Sequence, residues 1–160
     1  MARQFSMPYQ IPPVTLLPAA ADAAGRTGVY ASLRNALKAW IVCEVNQGNA
    51  ATVEFIPLQA TDSLGTNSKA ISAAPIWLVA DTSVSDALVA QAAAANFTTS
   101  ATLKDKLVVF EIEPEAALDM ANGFNHIAIQ TGASNASNVT AAHLFILGAV
   151  QAASPPTTIA

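Results

Sequence analysis

The stretch from Lys38 to Ala60, KAWIVCEVNQGNAATVEFIPLQA, constrains the fold of this chain more than any other. Two β-rich runs, 40–45 and 52–58, flank the polar break Asn46-Gln47-Gly48-Asn49. In the first run Ile41, Cys43 and Val45 alternate with Trp40, Val42 and Glu44, the period-two pattern of a strand. The break sets a glycine among asparagines, residues that tolerate the positive φ of a tight connection. The stretch is therefore expected to form a β-hairpin.

The rest of the chain repeats the theme of short strand-like runs between turn-rich loops. Strands are expected over 27–35, 75–80, 97–103, 107–113, 124–130 and 142–150, with a further short run at 70–72. One helix is expected over 83–96, SVSDALVAQAAAAN, where Ser83 or Ser85 would cap and the alanines favour helix. Residues 115–122 suit a single helical turn stopped by Asn122-Gly123. About eight short strands with at most one helix point to an all-β fold, a β-sandwich of jelly-roll type. Several strands, LVVF and LFIL among them, are apolar on both faces. Their second face is expected to lie under a loop, the N-terminal segment or a neighbour.

Composition narrows the function. Charged residues make up 11% and hydrophobic ones 52%, against a usual charged share of about 25%. A surface so poor in charge suits a protein that packs against neighbours. The net charge of −4 and the scatter of the seven basic residues argue against nucleic-acid binding, which needs a basic stripe. No apolar run reaches the roughly 18 residues of a membrane helix, and the N-terminus lacks a signal-peptide plan, so the chain is expected to be made in, and initially soluble in, the cytoplasm.

Catalytic and metal-binding patterns are weak. Glu111 and Glu113 share a strand face, as paired carboxylates for acid–base chemistry would, but a solvated rim at a strand end just before a proline is the stronger explanation. His126 and His143 could meet only if their strands were neighbours, and zinc needs three or four ligands. The Asp62–Asn67 loop lacks the regular acids of a calcium site. Cys43, the single cysteine, sits in a strand and reads as a buried thiol. With no P-loop, dinucleotide fingerprint, nucleophile elbow or Cys-x-x-Cys, no enzyme activity, cofactor or metal is expected. Trp40 and Trp77 are expected in the core; exposed, either would be an interface anchor.

The segment 1–27 reads as an extended arm ahead of a sandwich domain over 28–150 and a tail over 151–160. Pro8, Pro12, Pro13 and Pro18 break helix and deny ladder bonds. The arm nevertheless carries Phe5, Tyr9, Ile11, Val14, Leu16 and Leu17. It either docks on its own domain or grips a neighbouring subunit, which makes Phe5, Tyr9, Ile11, Pro12, Pro13, Val14, Leu16 and Leu17 candidate interface residues.

Four phrases, YASLRNALKAWIVCEVNQG, TVEFIPLQATDSLGTNSKAIS, ATLKDKLVVFEIEPEAALDM and NGFNHIAIQTGASNASNVTAAHLFILGAV, occur in an order that resembles a group of tailed-bacteriophage structural proteins. The resemblance covers about residues 28–150 and rests on structural phrases, not catalytic ones. It implies a head accessory protein of the cement or decoration type: a jelly-roll-like sandwich on the major capsid protein lattice. Its partners would be the major capsid protein and further copies of itself, on the capsid surface of the virion. A tail or head–tail connector component is the nearest alternative, and a carbohydrate-binding jelly roll a more distant one.

Overall fold

The computed structural model describes residues 6–148, with Tyr9 described in its backbone alone. Among the described residues eleven strands form two antiparallel sheets. In chain order they are β1 (Val14–Ala21), β2 (Ala31–Ser32), β3 (Ala36–Gln47), β4 (Glu54–Ala60), β5 (Lys69–Ala70), β6 (Ala74–Val79), β7 (Val89–Ala94), β8 (Phe97–Thr98), β9 (Lys106–Ile112), β10 (His126–Thr131) and β11 (Asn138–Gly148). Helical structure among the described residues is limited to two single turns, α1 (Met7–Gln10) and α2 (Pro114–Ala117), and a 3-10 turn at Met120–Asn122. The last ends on Gly123 with a left-handed φ of 82°, the stop expected from Asn122-Gly123.

The first sheet has the order β1-β11-β3-β9-β6-β7 and the second β2-β10-β4-β5, with β8 also on β4. Set aside β6, β7 and β8, and renumber the remaining eight strands along the chain. The sheets then read 1-8-3-6 and 2-7-4-5, the order of a jelly roll of two Greek keys. The β6–β7 hairpin extends the first sheet. The all-β sandwich expected from the sequence is the observed architecture.

Between the sheets lies one apolar core that includes Leu16, Leu17, Ile41, Cys43, Val45, Phe55, Ile76, Phe110, Ile112, Ile127, Ile129 and Leu144. Each large side chain contributes roughly 1.5–3 kcal/mol by leaving water. The alternation of β3 decides its facing: Ile41, Cys43 and Val45 point in, while Trp40, Val42 and Glu44 point out.

Three local expectations are corrected. First, β3 and β4 do not form a hairpin. β3 pairs with β11 and β9, whereas β4 pairs with β10, β5 and β8, so the two lie in opposite sheets. The polar break crosses the end of the sandwich and its backbone is held by distant side chains. The Asn49 amide donates to Asn138 Oδ1 at 2.8 Å, and the buried Gln47 donates to the carbonyls of Ala51 and Ser100. Lys106, also buried, donates to Gln47 Oε1 and to the Thr102 and Lys104 carbonyls. Gly48 permits this packing, because a Cβ there would lie 2.4 Å from the Ser137 carbonyl oxygen.

Second, residues 83–96 are not a helix. Asp81, not Ser83, is the local capping group: its carboxylate accepts the Ser83 amide and hydroxyl in a turn. Lys104 beside it holds that carboxyl down at about 2. Residues 89–94 then run extended along β6 as β7. Alanine favours helix by a few tenths of a kcal/mol per residue, but this run has no apolar stripe to bury as a helix, and β6 offers it a ladder of backbone bonds.

Third, the described part of the 1–27 segment is not separate from the domain. β1 pairs with β11 inside the first sheet, and Leu16 and Leu17 are core residues at 0% and 2% exposure. Pro18 is tolerated because β1 is an edge strand with irregular pairing between Thr15 and Ala20. Beyond it, Asp22 is fully buried: its Oδ1 accepts the Thr131 hydroxyl at 2.5 Å and faces Arg26 Nε at 3.5 Å. Gly28 then passes so close to β1 that a Cβ would sit 2.4 Å from the Leu16 carbonyl oxygen.

A smaller apolar cluster, Tyr30, Ala60 and Ala128 with Leu58 against it, sits apart from the main core. The loop after β4 reaches it through the Tyr30 hydroxyl on Ser68 Oγ at 2.5 Å. Nearby, His126 Nδ1 is buried without a hydrogen-bond partner, and burial, then Arg34, lowers the pKa of the ring below its ordinary 6.5. Protons then bind the unfolded chain first as pH falls. Stability present above pH 6.5 is expected to decline from there towards the lower folded-state pKa. His126→Gln is expected to flatten that component of a urea-denaturation series between pH 7 and 5. An unchanged slope would locate the acid sensitivity elsewhere.

Candidate interaction surface

The outward face of the first sheet carries an ordered array of apolar side chains outside the core. Strand register aligns Thr15, His143, Val42, Val109, Trp77 and Ala90 in one row across all six strands. The next row holds Phe145, Trp40 and Glu111, and the one beyond it pairs Leu147 with Lys38. Trp40, Trp77, Phe145, Val42 and Leu147 are half-buried, and the inward neighbours of these positions fill the core. Both tryptophans are thus placed outside the core, contrary to expectation. The parity of β3 already held the signal for Trp40, since it alternates with Ile41 and Cys43.

Lys38 is the cation shared by two carboxylates at the end of this face. Lys38 Nζ is ion-paired with Glu111 Oε1 and lies 3.5 Å from Glu113 Oε1. The Trp77 indole N–H donates to Glu111 Oε2 at 3.1 Å. The hydrogen bond from Lys38 holds the Glu111 carboxyl below its ordinary range, and the same contact raises the Lys38 pKa. This arrangement keeps Glu111 ionised, whereas a general acid near neutral pH needs a raised pKa. Lys38 also lies 6.0 Å from the Trp40 ring centroid, at the outer reach of a cation–π contact.

The remaining sequence candidates do not converge. His143 lies on this outer face with Thr15 Oγ1 at 3.4 Å from Nδ1, while His126 is in the second sheet, paired with Ala60 and Ser32. Cys43 is in the core, and burial pushes its thiol far up. The Asp62 carboxylate accepts the Leu64 and Thr66 amides, and the Thr66 side chain, followed by the Thr66 amide, lowers its pKa. No group of three potential metal ligands occurs among the described residues.

Of the proposed arm residues, Phe5 lies outside the described residues and Tyr9 falls in α1. Ile11, Pro12 and Val14 are half-buried and Pro13 is exposed. Leu16 and Leu17 are committed to their own core and offer nothing to a neighbour. The 151–160 tail is also outside the described residues. No helix among the described residues is long and apolar enough to cross a membrane. Comparison with protein-family models, curated proteins and solved structures gives no match.

Proposed function

We propose that this protein is a non-enzymatic structural component that works by packing against neighbours, and that the neighbours are a bacteriophage head lattice: the major capsid protein and further copies of itself. The observation that carries the reading is the outer face built from Trp40, Trp77, Phe145, Val42 and Leu147. Aromatic residues set among apolar side chains, with the Lys38–Glu111 charges already paired, are typical anchors of protein interfaces. The low charge of the whole chain and the resemblance of residues 28–150 to phage structural proteins support the same reading. A cement protein adds interface area at shell junctions, and many copies multiply a modest contact.

The test is the copy number of the protein in purified virions, measured by quantitative mass spectrometry against the major capsid protein. A simple lattice fraction supports a protein spread over the shell. A handful of copies per particle assigns it to a tail or connector instead, and absence from the particle ends the structural reading. The cross-strand pair Trp40 and Phe145 also favours carbohydrate binding as a second reading, for which stabilisation of the folded chain by oligosaccharides, lost in Trp40→Ala, is the discriminating result.

A further inference from the structure

The two edges of the first sheet are built in opposite ways. A sheet edge presents unpaired backbone N–H and C=O groups, and proteins that stay apart blunt it with proline, charge or irregular pairing. The β1 edge has all three. Pro18 lacks a donor, the pairing slips twice, and Arg26 donates to the Pro18 carbonyl at 2.8 Å and the Ala20 carbonyl at 3.1 Å. The β7 edge, VAQAAA, has no proline and no charge, and its pairing with β6 is regular through Val89, Ala90 and Gln91, with one irregularity beyond. The only cover on its own carbonyls among the described residues is neutral, Gln91 Nε2 on those of Val89 and Ala90.

The chain beside this edge is exposed at every residue over 82–90 and carries one charge, Asp86. It displays Val84 at 78%, Leu88 at 47% and Val89 at 59% exposure. The end strands of the second sheet, β2, β5 and β8, have two residues each and offer no comparable ladder. Within a copy of this chain, then, the described edge that an open β7 can pair with is another β7.

We infer that two copies join through their β7 edges, antiparallel about a two-fold axis near Ala90, to make one continuous sheet across the dimer. Antiparallel apposition about that point sets Ala90 against Ala90 and Val89 against Gln91, so no like charges face each other. A rim of about a dozen residues is smaller than the roughly 20–30 residues per side of a standard interface. The dimer is therefore weak, with a dissociation constant in the micromolar-to-millimolar range, and is reinforced wherever copies are held close together. This pairing stands whether or not the lattice reading holds.

Sedimentation velocity of the full chain over that concentration range tests it, with Ala90→Lys and Ala90→Glu as variants. Ala90 is exposed, so both are expected to fold, as thermal unfolding checks. Wild type is expected to dimerise. Each variant alone is expected to weaken association about tenfold by facing like charges across the axis, and an equimolar mixture of the two to restore it. Ala19→Lys, on the blunted β1 edge, is expected to change nothing. A wild-type chain that is monomeric throughout, a dimer indifferent to both substitutions, or variants that stay apart when mixed would each overturn the pairing.

Discussion

A chain lacking residues 1–25 is expected to lose its native fold rather than to yield a trimmed domain. The deletion removes β1, and with it Leu16 and Leu17 from the centre of the core and Asp22 from its buried site. Leu16→Ala and Leu17→Ala are each expected to cost about 2–5 kcal/mol, and together they approach the 5–15 kcal/mol that typically holds a domain. The strand is also needed by its neighbour: β11 would become an edge, with the backbone groups of Thr140 and Leu144 facing water. Urea denaturation followed by far-ultraviolet circular dichroism measures the point variants. A truncated chain with a cooperative transition at the wild-type midpoint would show that β1 is dispensable and return these residues to an arm.

Arg26→Met is expected to be the most damaging change at a partly exposed position. Arg26 holds three segments at once: it donates to the carbonyls of Pro18, Ala20 and Thr140 and to the Thr140 hydroxyl, and it faces the carboxylate of Asp22. Asp22 is completely buried, its Oδ2 has no hydrogen-bond partner, and Arg26 Nε lies 3.5 Å from its Oδ1. Removing the guanidinium leaves a buried anion supported only by the Thr131 hydroxyl. The expected loss is about 2–4 kcal/mol, towards the lower side for a partner that retains some solvent contact. Asp22→Asn in the Arg26→Met background is expected to recover part of it, since the uncompensated charge is then gone. A double-mutant cycle in denaturant measures the coupling, and additive losses would mean that the two residues act separately.

These two sites were poorly legible in the sequence for related reasons. The prolines of the first 27 residues correctly signal that no long helix or central strand is present among the described ones, where α1 is a single turn, but an edge strand with irregular pairing accommodates Pro18, and pairing cannot be seen locally. Asp22 lies in a patternless alanine run, yet its hydrogen-bond partner Thr131 is 109 residues away. The same holds for Asn138, which reads as a loop residue and instead fastens the turn at Asn49. The face bearing Trp40 was half legible. Alternation along β3 separates Trp40 from Ile41 and Cys43, but the bulk of a tryptophan argues for the core, and only the row shared with Phe145 and Glu111 shows a common outer surface.

What the sequence by itself determined is where the chain is extended and which residues face inward: the runs at 40–45, 107–113 and 124–130 became β3, β9 and β10, and Ile41, Cys43 and Val45 turned to the core. Those features follow from side-chain alternation, which acts between near neighbours in the chain. Which strands pair, and in which sheet, was decided by the tertiary structure alone. β3 and β4 are adjacent in sequence yet lie in opposite sheets, β1 closes against β11 from the other end of the chain, and an alanine-rich run with helical propensity became β7. In each case the choice rests on backbone hydrogen bonds and core contacts between residues distant in sequence, whose combined energy exceeds the small local preferences that a sequence displays.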